Sequence, residues 1–324
     1  MSAVDIIKAP IKEELKQFET FFSSTMKSDV ALLNLVTKYV LKRKGKQMRP
    51  MVVFLTANLF GKTNSATSNG AALIELMHTA TLVHDDVVDN SNQRRGFFSI
   101  NALWKNKIAV LLGDFLLSKG LLLAVNNNNF DLLKIVSKAV EQMSEGELLQ
   151  IEKTRKLNIT EEVYFEIIKK KTAVLIASCA AVGAKSVNAT DEQVEQMWQM
   201  GENIGIAFQI KDDLFDFQLD NKTGKPAGND IQEKKMTLPL IYALSKVDKS
   251  KVKQIKKIIN KKNKSNREIK EVVDFVNQSE GIAYATKRMH EYKDKALATI
   301  NSFPNSEYKS SIIELINYTT SRKK

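Results

Sequence analysis

The chain has 324 residues, 43% of them hydrophobic, with five Pro, thirteen Gly and 7% aromatic residues; a large helical core fits this, and a turn-rich β-sandwich does not. A single cysteine, Cys179 between Ala177-Ser178 and Ala180-Ala181, excludes a disulfide framework and a multi-cysteine metal site, and reads as a small buried spacer in a reducing cytoplasm. The net charge of +12 suggests nucleic acid, but residues 246–270 carry eleven Lys or Arg against two acids (11 − 2 = +9), with no interleaved aromatics and one Arg, which excludes base stacking and base reading.

Apolar residues recur at three- and four-residue spacing from one end to the other. Residues 5–24 read as an amphipathic helix, its charges at Lys8, Lys12, Glu13, Glu14 and Lys16, and not as a leader peptide. Helices follow over 28–43 and 50–60. Between them, Gly45-Lys46-Gln47-Met48-Arg49-Pro50 sets two cations at a helix start, an arrangement that suits an anion. The helix 66–90 ends in Thr81-Leu-Val-His-Asp-Asp-Val-Val-Asp89; Asp85 and Asp89 share a face, and His78 lies two turns deeper on it. Arg94 and Arg95 follow at once.

Further helices are expected at 99–106 and 108–125; the second carries Leu111, Leu112, Leu116, Leu117, Leu121 and Leu122, a candidate homodimer interface, and Asp114, read as a cap or buried acceptor. No apolar stretch of about twenty residues is seen, so no membrane span is expected. Helices at 129–152, 160–184 and 190–218 come next, with Thr160 and Thr190 as N-caps, Lys171-Thr172 in the second and Gln209, Asp212, Asp213 and Asp216 in the third. The loop 221–229 and the segment after it hold Lys225 and Lys235. The chain closes with helices at 236–245, 250–260, 266–278, 280–301 and 305–321, more polar and expected outside the central ones. The basic segment 246–270 reads as a solvated helix, with contact to an anionic membrane as the alternative; liposome pelleting of a lysine-neutralised variant separates the two. One all-α domain over 1–324 is the economical assignment.

The trio Asp85, Asp86, Asp89 recurs 127 residues later (212 − 85) as Asp212, Asp213, Asp216. Carboxylates aimed into one space from two helices repel unless cations sit between them. Hard divalent ions bound through a few carboxylates and substrate phosphates, Mg²⁺ above all, suit such a set.

These motifs resemble those of the trans-isoprenyl diphosphate synthases, also called polyprenyl synthetases. The likeness runs through Gly45-Lys-x-x-Arg-Pro50, Glu75-Leu-Met-His to Asp89, Arg94-Arg-Gly96, Gly113-Asp-Phe-Leu116, Lys171-Thr172, Phe208-Gln-Ile-Lys-Asp-Asp-Leu-Phe-Asp216, Gly224-Lys-Pro-Ala-Gly-Asn-Asp230 and Lys235-Met-Thr-Leu-Pro-Leu240. Residues 75–96 look most like long-chain members such as octaprenyl diphosphate synthase. The resemblance implies a bundle of central helices around a deep apolar cavity, the isoprenoid synthase fold, usually as a homodimer. It implies three Mg²⁺ held principally by Asp85, Asp89 and Asp212, with Asp86, Asp213 and Asp216 supporting. Arg94, Lys171, Thr172, Gln209, Lys225 and Lys235 would hold the diphosphate of an allylic substrate, farnesyl or geranylgeranyl diphosphate. Gly45, Lys46, Arg49, His78 and Arg95 would hold isopentenyl diphosphate. Lys44 and Gln47 depart from the family's Gly and Arg at those places.

In this family, bulk four or five positions before the first acidic motif shortens the product. Here those positions are Thr81 and Ala80, both small, with Met77 and Ile74 deeper. At about 1.5 Å per residue the helix from Asp85 to Asn69 is roughly 24 Å long, room for about five prenyl units of 4–5 Å each. A product of six to eight units, C30–C40, for a quinone side chain is expected; shorter-chain synthases are the alternative. A class I terpene cyclase would not need Lys46, Arg49 and His78, a catalytically inactive partner subunit would lack one acidic trio, and a basic helical binding protein would leave six Asp unexplained.

Overall fold

Local rules set the helix boundaries. The structure is a computed structural model describing residues 2–42, 46–94, 96–217 and 228–322. Helix α1 (Ala3–Lys8) is capped by Ser2 and gives way at Pro10 to a 3₁₀ turn, Ala9–Ile11, before α2 (Lys12–Thr25). The continuous 5–24 helix is therefore interrupted, as a proline in a helix interior dictates. Next come α3 (Ala31–Leu41), α4 (Met48–Phe60) and α5 (Ser65–Val88), the last capped by Asn64, whose side chain takes the Thr67 amide. A short hairpin, β1 (Gln93–Arg94) and β2 (Phe97–Phe98), precedes α6 (Ile100–Asn126). Non-helical backbone at Lys105 divides α6 close to the break expected at 107.

Helix α7 (Phe130–Lys156) is followed by α8 (Glu161–Ile168), a π turn at Lys169–Ala173, and α9 (Val174–Ser186). Thr160 and Thr190 are the caps expected of them, accepting from the Val163 and Gln193 amides. Then come α10 (Asp191–Phe215), a single turn α11 (Asn229–Gln232), α12 (Leu238–Ser245), α13 (Lys249–Asn260), α14 (Asn266–Gln278), α15 (Gly281–Asn301) and α16 (Glu307–Ser321). The all-α class holds.

The fold divides into two compact units. One comprises Met1–Val140, Ser178–Trp198 and Phe303–Glu314. Its core includes Leu76, Ala80 and Val83 of α5 against Ile100, Ala109, Leu112 and Leu116 of α6. Helices α5 and α6 approach closely at Gly120, where a methyl group would press on Leu73 and Met77. The other unit comprises Glu141–Ala177, Gln199–Ser302 and Leu315–Lys324. Here the C-terminal helices are not the polar exterior that was expected: Ile255, Ile259, Val272, Val273 and Val276 are fully buried with Ile210 and Leu240. Each such side chain contributes about 1.5–3 kcal/mol of burial, which their amphipathic spacing supports despite a polar average.

Helix α6 corrects a second expectation. By length and composition it could cross a membrane, with a mean hydropathy of 2.0 over eighteen residues. It also carries Asp114 and Lys119 mid-length and seats Leu112 and Leu116 in the core, as a helix packed against α5 does. Leu111, Leu121, Leu122 and Val125 point outward. The six leucines thus fall on two faces, and only part of the set is available for pairing.

Candidate active site

In the first unit, α5 delivers its acidic trio at its last turn. Asp85 and Asp89 are exposed, whereas Asp86 is buried. The Asp89 amide donates to the Asp85 carbonyl, so the two carboxylates stand one turn apart on one face. Lys46 and Arg49 line a cavity of about 470 Å³ with Phe18, Phe22, Tyr39, Glu75 and Asp86. His78, half-buried, is not among its lining residues, so the expected grouping of His78 with Lys46 and Arg49 is not what this cavity shows.

Arg49 forks onto Glu75, with Nε 2.6 Å from Oε1 and Nη2 3.2 Å from Oε2. Burial by itself would lower the guanidinium pKa, but the Glu75 charge and hydrogen bonds hold it above its ordinary value. Sequence reasoning missed Glu75 as a partner; the available signal was a carboxylate inside an apolar helix ten residues before Asp85. Cys179 is buried, and that burial pushes its thiol pKa far up, so it is inert, as its small neighbours suggest. Asp114 is a correction. Neither cap nor buried acceptor, it is exposed in mid-helix with Oδ1 3.5 Å from His84 Nε2.

In the second unit, the π turn presents Lys171 and Thr172. A π turn widens the helix by one residue and re-aims the side chains on it. Helix α7 comes so close that any side chain at Gly146 would strike Lys170 and the Lys171 amide. Lys171 Nζ pairs with Glu147 and lies 3.3 Å from Gln150 Oε1. Thr172 Oγ1 donates to Gln209 Oε1 at 2.8 Å, and Gln209 Nε2 donates to Asp213 Oδ1 at 2.8 Å. The other oxygen of Asp213 accepts from the Tyr164 hydroxyl at 2.6 Å.

The remaining members of the second trio are held differently. Asp216 accepts the amides of Asn229 at 2.9 Å and Asp230 at 3.0 Å, and so caps α11. Asp212, partly exposed, pairs with Arg322, whose guanidinium lies 4.1 Å over the Phe208 ring. Lys235 pairs with Glu233 and lies 3.8 Å from Asp230. Asp230, Tyr164 and Arg322 were not singled out by sequence reasoning. Gly45, Arg95, Lys225 and the Arg94 side chain lie outside the described residues; the Arg94 backbone pairs with Phe97 in the hairpin.

The sequence model of the polyprenyl synthetase family matches residues 30–276. The chain belongs to this family. An all-trans-nonaprenyl-diphosphate synthase (geranyl-diphosphate specific) of Rhodobacter capsulatus is 36% identical over 98% of this chain and 97% of its own. The octaprenyl diphosphate synthase of Escherichia coli K12 is 34% identical, with 92% of each chain covered. Among solved structures, the Caulobacter crescentus polyprenyl synthase complexed with calcium and isoprenyl diphosphate superposes with a TM-score of 0.90 at 32% identity, covering 99% of this chain and 98% of that one. A geranylgeranyl pyrophosphate synthase from Bacteroides thetaiotaomicron gives 0.85 at 38% identity, over 99% of this chain and 100% of that one. The fold is thus that of the isoprenoid synthases, and this polyprenyl synthetase is a prenyltransferase.

The donor set of the synthetase fits hard divalent cations. Among the described residues no three acidic, His or Cys side chains already converge as a metal site. What the second unit does show is carboxylates that resist ionising together. Burial first, then the charges of Asp230 and Asp212, push Asp213 up to about 7 against the hydrogen bonds of Tyr164 and Gln209 that lower it. Burial and Asp216 push Asp230 up to about 6. A cation among them removes the cost, and all-oxygen ligands are what Mg²⁺ takes.

Those shifts carry a pH dependence. From about pH 4, the unfolded carboxylate range, up to about 7, the folded synthetase binds more protons than the unfolded chain, so its stability falls as pH rises. The contribution is complete below that window and gone above it; Glu268, lowered to about 2 by its Lys261 and Ser265 hydrogen bonds, acts only below it. Metal-free protein is expected to melt several degrees lower at pH 8 than at pH 6, and Mg²⁺ with inorganic diphosphate to recover more at pH 8. Equal metal-free melting points in differential scanning calorimetry would remove this account.

Proposed function

We propose that this synthetase joins isopentenyl diphosphate to an allylic diphosphate, farnesyl or geranylgeranyl, and extends it to about C30–C40 for a quinone side chain, acting in the cytoplasm as a homodimer. The observation that carries the two-substrate reading is the cavity lined by Lys46 and Arg49. A cyclase, which handles one diphosphate, has no use for a second cationic pocket. Long-chain relatives and the small residues Ala80 and Thr81 support the product range; the 38% identical geranylgeranyl synthase keeps a shorter product as the second reading.

Asp85, Asp89 and Asp212 would hold about three Mg²⁺, with Asp86, Asp213 and Asp216 supporting from behind; Asp213 and Asp216 already have both oxygens taken. When bound, the ions concentrate positive charge on the leaving diphosphate and favour C–O cleavage. Lys171, Lys225, Lys235 and Arg94 balance the remaining negative charge, and Gln209 orients the same group. Thr172 gives its only proton to Gln209, so its lone pairs would meet that group through a bound cation or a bridging water. Arg49, fixed by Glu75, would anchor isopentenyl diphosphate with Lys46, Gly45, Arg95 and His78. The isopentenyl double bond would attack the allylic cation, and the proton then lost would pass to the released diphosphate.

Outward Leu111, Leu121, Leu122 and Val125 of α6 form the stripe for pairing two copies. The reaction is tested by incorporation of labelled isopentenyl diphosphate with an allylic primer and Mg²⁺. Turnover should vanish with EDTA, and a primer consumed without label uptake would point to a cyclase.

A further inference from the structure

Tyr164 lies on α8, 4% exposed, with its ring edge-on to Phe165 at 5.3 Å. Filling that space needs only a phenyl ring. The hydroxyl does something else, since it donates to Asp213 at 2.6 Å, and Asp213 is itself 4% exposed. Both Asp213 oxygens accept, one from Tyr164 and the other from Gln209. Gln209 must therefore turn its amide nitrogen to Asp213 and its carbonyl to Thr172, and Thr172 must give its proton to that carbonyl. Four side chains form one line whose donors all point toward Asp213, with Tyr164 at the buried end and Thr172 on the π turn beside Lys171.

We propose that Tyr164 is a positioning residue for the second acidic motif: by pinning Asp213 from the buried side it fixes the Gln209 amide and the Thr172 hydroxyl that face the metal–diphosphate group. Asp213 is then a strut, both of whose oxygens serve the protein, and the line sets donor and acceptor directions before substrate arrives. The inference rests on the second motif binding metal-bound diphosphate, as proposed above. No property of Tyr164 in the sequence signalled it; in an apolar helix it reads as a core aromatic.

The test is Tyr164→Phe, which removes one oxygen and leaves the ring. The probe is inorganic diphosphate with Mg²⁺, titrated by calorimetry, alongside kcat and the KM for isopentenyl diphosphate. Diphosphate affinity and kcat should each fall about tenfold or more, the range found for groups behind a metal site. KM for isopentenyl diphosphate should stay within about twofold, because Lys46 and Arg49 are not part of the line. Asp213→Asn gives a second route should the phenylalanine variant not fold. Its amide still accepts from Tyr164 but sets a donor against the Gln209 donor, so it should reproduce the loss. The double variant should be no weaker than Asp213→Asn alone. Wild-type diphosphate affinity in Tyr164→Phe or in Asp213→Asn overturns the proposal, and so does an equal rise in the isopentenyl diphosphate KM, which a merely structural role would give. If the wild-type protein itself takes up no diphosphate with Mg²⁺, the reading of the motif fails and not the role of Tyr164.

Discussion

Asp85→Asn and Asp212→Asn should each lower kcat by about 10³-fold or more, close to 4 kcal/mol of transition-state stabilisation at 1.36 kcal/mol per tenfold. The fold should barely notice Asp85→Asn, whereas Asp212→Asn also weakens the pair with the largely buried Arg322 and should lower the melting point somewhat. Asp85 is exposed at the end of α5, and Asp212 is partly exposed. An amide keeps the shape and removes the charge that a hard cation needs. Asp216→Ala should behave differently, losing activity and stability together, because it strands the amides of Asn229 and Asp230. The Asn229 bond is exposed and the Asp230 bond part-buried, so water takes up some of the loss and the cost is about 1 kcal/mol. The contrast between melting point and kcat in Asp85→Asn and Asp216→Ala separates metal-binding carboxylates from carboxylates that hold the chain. If Asp85→Asn and Asp212→Asn retain more than a tenth of wild-type turnover, the metal clamp is wrong.

Thr81→Tyr should shorten the product to about C15–C20. Thr81 lies one turn before Asp85 on the same face and is half-buried, its hydroxyl bonded to the His78 carbonyl at 2.9 Å. A tyrosine there would stand in the path of a chain growing down that face. Ala80→Phe is the second family position, and its effect should be mixed. Ala80 is fully buried in the cluster with Leu76, Leu112 and Leu116, so a phenylalanine must push α5 from α6. Overpacking of that kind costs about 1–3 kcal/mol. Shortening by Ala80→Phe should therefore come with a lower melting point, and shortening by Thr81→Tyr should not. Thin-layer separation of the products reads both, and unchanged length in both variants removes the idea that this helix sets it.

Much of this was legible in the chain itself because the signals are periodic or local. Asp85/Asp89 and Asp212/Asp216 repeat at helical spacing, and Thr160 and Thr190 precede acidic turns. The split of α6 near Lys105 follows the pattern too, as does the inertness of Cys179 among small residues. What was missed is of another kind. Arg322 meets Asp212 and Tyr164 meets Asp213 across 110 and 49 positions, pairings that no periodicity announces. Glu75 and Arg49 are 26 apart and form their fork only because α4 packs on α5. The π turn at Lys169–Ala173 is one extra residue in a helix whose apolar spacing looks continuous. The outer position expected of the C-terminal helices failed because a polar average hides a fully apolar face, clearest in Val272, Val273 and Val276.

The central claim is that two acidic motifs and the Lys46–Arg49 pocket together make a chain-elongating synthase. Its most direct measurement is incubation of the purified protein with labelled isopentenyl diphosphate, farnesyl diphosphate and Mg²⁺, with the products dephosphorylated and resolved by length. The expected result is label in products of about C30–C40 and none without metal. No label in any product with farnesyl, geranyl or geranylgeranyl diphosphate would contradict the reaction, and label confined to C20 would contradict the long-chain reading.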